Sequence, residues 1–187
     1  MRIFASVIFI LSTVFSNAQT NLPVGATDAE KAFMPSYLQQ IQSVGITTPP
    51  GGSLRTMAEW EEIKALTITW TSYLPVLREI VRAAQIETQV YIICSDSNTV
   101  KNYLTSNSIP LINLHYVIAP FNTIWIRDYG QNCVYRNDVD SMIMVDWIYN
   151  RPRPKDDTIP SIFGREFSIP LYETSQAPYD LIHTGGN

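Results

Sequence analysis

The stretch FNTIWIRDYG, residues 121–130, places an arginine beside an aspartate between apolar residues. In an extended backbone the side chains alternate, so Trp125, Arg127 and Tyr129 would face one way and Asp128 the other. Asp128 then needs a partner other than Arg127, because a buried charge that loses its partner costs about 3 to 5 kcal/mol. That partner is either another group of the protein, a side chain or backbone amides, or a bound cation. This stretch alone leaves both alternatives open.

A second basic cluster, NRPRP, contains Arg151 and Arg153 two positions apart. Proline favours an extended backbone at its own position and at the residue before it, so the two arginine side chains are expected on the same side. Two guanidinium groups on one side form a fork for a carboxylate or a phosphate. The alternative is a solvated loop in which the arginines pair with Asp156 and Asp157.

The last block, LIHTGGN, contains His183 and two adjacent glycines. Paired glycines allow a close approach of the backbone, as beside a ligand, although a plain turn also uses them. A histidine can act as a general base but is more often a hydrogen-bonded structural residue. The two cysteines, Cys94 and Cys133, allow one disulfide at most. Because the sequence has no CxxC and no cluster of Cys and His, no structural zinc site is expected.

Alternating strands and helices position these blocks. From residue 55 the hydrophobic pattern predicts a strand, a helix, a strand, a helix, a strand and a hairpin. They are the strand 65–70, a helix with an apolar stripe at Leu74, Leu77, Val81 and Ala84, the strand 89–94, the helix 97–106, the strand 111–118, and hairpin strands in NCVYR and SMIMVDWIY around the turn 137–140. Thr71 or Ser72 is expected to cap the first helix. This order indicates an α/β fold in which WIRDYG follows a strand end, where such proteins often place their chemistry.

The N-terminal residues have the features of an export signal. Residues 1–18 combine an arginine, an apolar run and a small-x-small exit, so they are expected to be cleaved as a secretory signal peptide. The protein is then expected to be secreted or periplasmic, with no membrane partner, because the apolar run is short for a membrane span. Residues 19–54 are expected to be a lead-in segment with a short helix around 28–42. The net charge of −4 argues against nucleic acid as a partner.

The blocks RTMAEWEEIKALTITW, WIRDYG, NRPRP and HTGGN, in this order and spacing, resemble the bacterial-type peptidylarginine deiminase and agmatine deiminase family. The resemblance covers residues 55–187. It implies the N-terminal part of a pentein catalytic domain, an α/β propeller with five-fold pseudo-symmetry. It also implies hydrolysis of a guanidinium group to a urea, with release of ammonia and with neither a catalytic metal nor another cofactor.

At matching positions the resemblance implies four substrate-binding residues. Asp128 would accept two hydrogen bonds from the substrate guanidinium, and Trp125 would form a wall on which this cation stacks. Arg151 and Arg153 would hold the carboxylate of a C-terminal arginine, as in the peptidylarginine branch of the family. Arg127 would be a scaffold residue.

Two positions depart from the family pattern. Gln131 stands where a proline is usual, and the edge of a strand is expected to tolerate it. Thr184 stands where agmatine deiminases usually have a glutamate. Together with the arginine fork, Thr184 favours peptidyl-arginine as the substrate, with citrulline as the product. The alternative is agmatine, converted to N-carbamoylputrescine in putrescine biosynthesis.

The chemistry of this family also needs a thiolate nucleophile, which forms a covalent thiouronium, and a His-x-Asp pair that moves protons. Both are expected beyond Asn187. Neither Cys94 nor Cys133 matches the position of the nucleophile, so no catalytic residue is assigned within residues 1–187. Since loss of a nucleophile costs a hydrolase about a million-fold in rate, this chain alone is expected to be inactive. A further alternative is a non-catalytic module that binds arginine-like ligands through Asp128 and Trp125.

Overall fold

The computed structural model describes residues 22–58, 60–137 and 141–185. Within these ranges the chain forms two β-sheets and six helices. The elements are α1 (Asp28–Leu38), β1 (Arg55–Thr56), β2 (Ala65–Thr69), α2 (Leu74–Ala84), β3 (Gln89–Cys94), α3 (Ser97–Ser106), β4 (Leu114–Ile118), α4 (Ile126–Tyr129), β5 (Asn132–Tyr135), β6 (Met142–Tyr149), α5 (Pro154–Asp157), α6 (Ile159–Phe167), β7 (Leu171–Thr174) and β8 (Ile182–His183). The predicted signal peptide lies outside the described residues, as does most of the turn 137–140. No helix in the described ranges is long and apolar enough to cross a membrane.

The first sheet contains the parallel strands β2, β3 and β4, in that order. The helices α2 and α3 connect these strands, so the predicted α/β alternation is confirmed. The central strand β3 is buried from both sides: Ile92 packs in the core formed with the two helices, and Ile93 packs in the core shared with the second sheet. β4 begins later than predicted, because Asn113 has a φ of 52° and interrupts the extended backbone.

Two helices of the described chain begin in different ways. α1 begins with a capping box in which the Thr27 side chain accepts from Glu30 N and the Glu30 side chain accepts from Thr27 N. The cap of α2 is Tyr73, which has a φ of 48° and makes no side-chain capping bond. The prediction of a cap at Thr71 or Ser72 is therefore wrong, since a left-handed turn leads the chain into this helix instead.

The second sheet is mixed. β5 and β6 form the predicted antiparallel hairpin, and β1 extends it by pairing with β5. β6 then pairs in parallel with β7 along its middle residues, Met144 to Trp147, and with β8 at its end. The helices α5 and α6 make the crossover from β6 to β7. The sequence pattern did not predict α6 or β7.

A core between the two sheets positions the WIRDYG block. Ile93 and Val117 enter this core from the first sheet, and Met144 enters it from the second. α6 contributes Phe163, and Tyr129 of α4 packs among these residues. The block that carries Asp128 is therefore anchored where the two sheets meet.

The lead-in segment packs on the second sheet. Ile46 forms a parallel β-bridge with Tyr172 of β7. The Tyr37 hydroxyl of α1 donates to Asp157 Oδ2 at 2.5 Å. The helix in this segment ends at Leu38, sooner than the predicted bound of 42. The described part of the lead-in segment is thus an integral part of this fold.

Candidate active site

The WIRDYG block forms the short helix α4, so the predicted extended conformation is wrong. The N–H groups of Asp128 and Tyr129 both donate to Trp125 O, at 2.9 and 3.2 Å. The block connects strands of two different sheets, and its backbone groups are satisfied by this local turn. The turn also separates residues that alternation had placed together: Tyr129 is buried and Arg127 is exposed.

Tyr129 fixes α4 from inside the core. Its hydroxyl lies 2.6 Å from Thr69 Oγ1 and donates to Thr123 O at 3.1 Å. Burial raises the pKa of Tyr129 well above its ordinary value, and the nearby charge of Asp156 adds to this effect. The tyrosine therefore remains a neutral anchor that holds Asp128, one residue earlier, at the half-buried rim of the core.

Asp128 has one hydrogen bond to a side chain. Its Oδ1 accepts from Thr184 Oγ1 at 3.2 Å. In the described parts of the chain Asp128 forms no ion pair with Arg127 or with any other residue, and nothing donates to Oδ2. The predicted separation of Asp128 from Arg127 is observed, although a helical turn and not strand alternation produces it.

Thr184 links Asp128 to Arg151. The Thr184 hydroxyl donates to Asp128 and accepts from Arg151 Nη1 at 2.8 Å. The Arg151 guanidinium also donates to Asn150 Oδ1, and its Cζ lies 5.3 Å from the centre of the Tyr149 ring. The Thr184 hydroxyl thus lies between the Asp128 carboxylate and the Arg151 guanidinium. The WIRDYG, NRPRP and HTGGN blocks, which are far apart in the sequence, meet at this point.

Gly185, the first of the paired glycines, makes this meeting possible. Its N–H donates to Asp128 O at 2.7 Å. A Cβ at this position would lie 2.6 Å from Trp147 Cζ2 and 2.8 Å from Arg127 O, closer than real Cβ atoms approach. The glycine pair was compatible with a close approach of the backbone or with a plain turn. At Gly185 the structure shows the close approach. Gly186 lies outside the described residues.

Trp125 is tied to the lead-in segment. Its indole Nε1 donates to Leu22 O at 3.0 Å, and part of the ring packs against the core between the sheets. The side chain remains partly exposed beside α4. The indole N–H is thus satisfied by the backbone of the lead-in segment, and part of the ring remains at the surface.

The expected fork of Arg151 and Arg153 is not formed. Arg153 N donates to Arg151 O at 2.7 Å, so the backbone turns sharply at the intervening residue instead of remaining extended. The Arg153 side chain is only 1% exposed and forms an ion pair with Glu30 of α1, with 2.6 Å between Nε and Oε1. It also donates to Pro23 O and Gly25 O. The alternative of a solvated loop is equally wrong for Arg153.

The two cysteines do not provide a nucleophile in this structure. Both are free thiols. Burial raises the pKa of Cys94 to about 11, with a smaller contribution from the charge of Asp96. Burial also raises the pKa of Cys133. Burial therefore disfavours the thiolate form of both cysteines, and a thiolate is the form that attacks carbon.

The described residues contain no group of three or more His, Cys, Asp or Glu side chains arranged to hold a metal ion. His183, considered as a general base, lies exposed on β8 with its ring edge against Trp147, at a centroid distance of 5.6 Å. Its backbone O accepts from Asn150 N at 3.0 Å. These contacts assign His183 to packing at the strand end.

Sequence reasoning missed two residues of the site. The sequence presents Thr184 as a departure from a family pattern that bears on the substrate, and it does not predict that the Thr184 hydroxyl links Asp128 to Arg151. Glu30 was not singled out, although it takes Arg153 out of the site. The spacing of the capping box around Glu30 was readable from the sequence, but its contact across 123 positions was not.

Two solved structures have a similar fold. The C. jejuni agmatine deiminase matches with a TM-score of 0.58 and 22% identity, over 74% of this chain and 43% of that one. The agmatine deiminase of Enterococcus faecalis matches with a TM-score of 0.59 and 18% identity, over 75% of this chain and 43% of that one. This chain thus matches less than half the length of either enzyme. The likeness confirms the predicted fold class, a partial α/β pentein domain.

A comparison of the sequence with family models gives a match over most of the chain. The model for the Porphyromonas-type peptidyl-arginine deiminase matches residues 55–186. This range contains α4, Arg151, Thr184 and Gly185, the parts that meet around Asp128. The predicted family is confirmed, and the chain belongs to the Porphyromonas-type peptidyl-arginine deiminase family of guanidine-modifying hydrolases.

Proposed function

We propose that residues 55–187 form the guanidinium-binding part of an enzyme that converts peptidyl-arginine to citrulline and ammonia. In this reaction water replaces one nitrogen of the guanidinium, which leaves as ammonia, and a urea remains. The proposal rests on one observation. The Thr184 hydroxyl forms hydrogen bonds with both Asp128 and Arg151, which brings the carboxylate and the guanidinium into one site.

Asp128 has the chemistry required to bind a guanidinium. A carboxylate accepts two parallel N–H···O bonds from a guanidinium, which is a strong charge-assisted pair. Oδ1 retains accepting capacity beside its bond from Thr184, and Oδ2 accepts from nothing in the described chain. Trp125, which caps α4, is proposed as the wall on which the guanidinium plane stacks.

The presence of Arg151 favours a ligand that is an arginine with a free α-carboxylate. The positive charge of Arg151 favours an anionic group at the far end of the substrate and disfavours a free amine there. Arg153 is not proposed to contact substrate, because Glu30 holds it.

Agmatine is the alternative substrate, and two observations favour it. The ion pair of Arg153 with Glu30 removes one of two cations that were expected to select for a carboxylate. The two solved enzymes described above are agmatine deiminases. Arg151 still stands beside the site, and we therefore retain peptidyl-arginine as the first proposal.

The proposed hydrolysis takes its nucleophile and its His-x-Asp pair from outside residues 1–187. This proposal is supported by the burial of the Cys94 and Cys133 thiols, which raises the pKa of both and disfavours the thiolate. The 187-residue chain should then bind ligand and release no citrulline. Citrulline release from an arginyl peptide by this chain would contradict this part of the proposal.

Calorimetric titration of the 187-residue chain distinguishes the ligand classes. The ligands are a peptide with a C-terminal arginine, the same peptide with a C-terminal amide, agmatine, and a peptide with a C-terminal lysine as the control. The acid should bind most tightly, the amide more weakly and the lysine peptide not at all. Tighter binding of agmatine would support the alternative substrate, and no heat with any guanidinium ligand would reject both.

We also propose that the protein is exported by cleavage of residues 1–18. The support is the sequence pattern of that segment. N-terminal sequencing of the protein recovered from the host medium or periplasm should show a start at Gln19. Recovery from the cytoplasm with an intact Met1 would contradict export.

A further inference from the structure

Asp156 is a fully buried carboxylate in a position that the proposed substrate contacts do not explain. It lies in α5 with 0% of its surface exposed. Its Oδ1 accepts from Asn122 N at 2.7 Å and from Thr123 N at 3.0 Å, and its Oδ2 accepts from Thr123 Oγ1 at 2.7 Å. All three donors belong to the loop that leads into α4.

Thr123 also forms hydrogen bonds with residues at both ends of α4. Its Oγ1, which donates to Asp156, also accepts from Trp125 N at 3.3 Å. Its backbone O accepts from the Tyr129 hydroxyl at 3.1 Å. Trp125 is the N-cap of α4 and Tyr129 is its last residue, so Thr123 holds both ends of the short helix that carries the carboxylate proposed to bind substrate.

Holding a loop with a buried carboxylate requires desolvation of the charged group, which is unfavourable. Desolvation raises the pKa of Asp156, and the hydrogen bonds from Thr123 and Asn122 and the charge of Arg153 only partly offset this. What a carboxylate offers is two acceptor oxygens for three donors at once, which holds the loop in one geometry. Its presence therefore points to a role in orienting the loop and not simply in stabilising the fold.

We propose that Asp156 is a positioning residue for Asp128 and acts through Thr123. The inference rests on the proposed function in one respect, because it takes Asp128 as the residue that binds the guanidinium. The orientation of α4 itself can be measured without any ligand.

The variant Thr123→Val tests this role in the 187-residue chain. Valine has nearly the shape of threonine but loses the hydroxyl, so the bonds to Asp156 Oδ2 and from Trp125 N both disappear. Thr123→Ser keeps the hydroxyl and should rescue the loss. Thr174→Val is the matched control, because Thr174 is also buried and its hydroxyl donates to Asp146 O, away from this loop.

The first measurement is amide hydrogen exchange at residues 126–130, at a temperature where each variant is folded. Thr123→Val should speed exchange there by about tenfold, the effect of about 1.4 kcal/mol of local opening. Thr123→Ser and Thr174→Val should leave exchange in this segment close to that of the parent. Equal exchange in the two valine variants would overturn the proposal.

The second measurement is the affinity for the arginyl peptide. Thr123→Val should raise Kd by about tenfold, which corresponds to about 1.4 kcal/mol, because both hydrogen bonds of the hydroxyl are lost, and Thr174→Val should not. Faster exchange with an unchanged Kd would overturn the link to Asp128. If the parent binds no guanidinium ligand, the proposed function fails, and the exchange experiment still decides whether the Thr123 hydroxyl, which joins Asp156 to Trp125 N, orients α4.

Discussion

Arg153 makes a bidentate contact with Glu30, with 2.6 Å between Nε and Oε1 and 3.2 Å between Nη2 and Oε2. The side chains are 1% and 13% exposed. The contact joins the NRPRP block to α1. Arg153, which the NRPRP motif predicts to bind substrate, therefore holds the lead-in segment on the domain.

Glu30→Gln should destabilise the fold by about 3 kcal/mol, because breaking a buried ion pair leaves its other charge unpaired. Glutamine can still accept from Thr27 N, so the cap of α1 is preserved. Urea unfolding measures the change. Glu79→Gln is the control, since its ion pairs with Arg78 and Arg82 are exposed, and it should barely move the midpoint. Equal midpoints in the two variants would contradict a stabilising role for Glu30.

Asp146 should make stability depend on pH. Desolvation raises the pKa of Asp146 well above its ordinary value of 3.8, and the charges of Asp157 and Glu173 raise it further. The pKa of Asp146 is higher in the folded state than in the unfolded state. Protonated Asp146 therefore contributes its whole stabilisation of the fold below about pH 3.8, and this contribution is lost as the pH rises through the folded-state pKa. Asp146→Asn removes the charge and should raise the unfolding midpoint at pH 8 while changing it little at pH 4.

The control for this prediction is Asp180→Asn, which removes an exposed carboxylate. It should leave the midpoint nearly unchanged at both pH values. A lower midpoint for Asp146→Asn at pH 8 would show that the charged form of Asp146 stabilises the fold, contrary to this account.

Gly185→Ala should destabilise the meeting of β8 with α4. The added methyl would lie 2.6 Å from Trp147 Cζ2, and overpacking of this kind costs about 1 to 3 kcal/mol. The melting temperature should fall. In Gly51→Ala the methyl meets no atom within 4 Å, so this variant should melt with the parent. Equal melting temperatures would show that residue 185 has room for a side chain.

Thr184→Glu should shift ligand preference toward agmatine. A glutamate here would place a second carboxylate beside Asp128 and pair with Arg151, so the cation that favours an anionic ligand end would be neutralised. The ratio of agmatine affinity to arginyl-peptide affinity should rise about tenfold, which corresponds to about 1.4 kcal/mol. Thr184→Ser keeps the hydroxyl and should preserve the parent ratio. An unchanged ratio in Thr184→Glu would remove Thr184 from the determinants of specificity.

The first sheet was predictable because its signals are local. The strand Gln89–Cys94 is almost continuously apolar, and α2 carries an apolar stripe that includes Leu77 and Val81 at helical spacing. β3 and α3 have the predicted bounds. In such segments burial and local propensity favour the same structure, so periodicity alone locates them.

The segment that forms α6 and β7 was not predictable in the same way. Pro160 and Gly164 are residues that commonly indicate a loop. Here Pro160 falls in the first turn of α6, where its missing N–H costs nothing, and Gly164 lies against β7. Tertiary packing therefore decided what the residue types left ambiguous.

The candidate site was predictable in some of its residues but not in its geometry. WIRDYG is too short for periodicity to distinguish a strand from a helical turn, and the burial of Tyr129 decides for the turn. The bond between Thr184 and Asp128 spans 56 positions, and the ion pair between Arg153 and Glu30 spans 123. Contacts at such separations depend on the fold as a whole, so no local spacing could have shown which arginine faces the site.

The central claim is that the Asp128 carboxylate binds a guanidinium, and calorimetric titration of Asp128→Asn with the arginyl peptide tests it most directly. Hydrogen bonds to a charged group are worth about 1.5 to 3 kcal/mol each, so the affinity should fall by about 10- to 100-fold or more. Asp180→Asn, with the same change in charge, should bind as the parent does. Equal affinities of the parent and Asp128→Asn would contradict the claim.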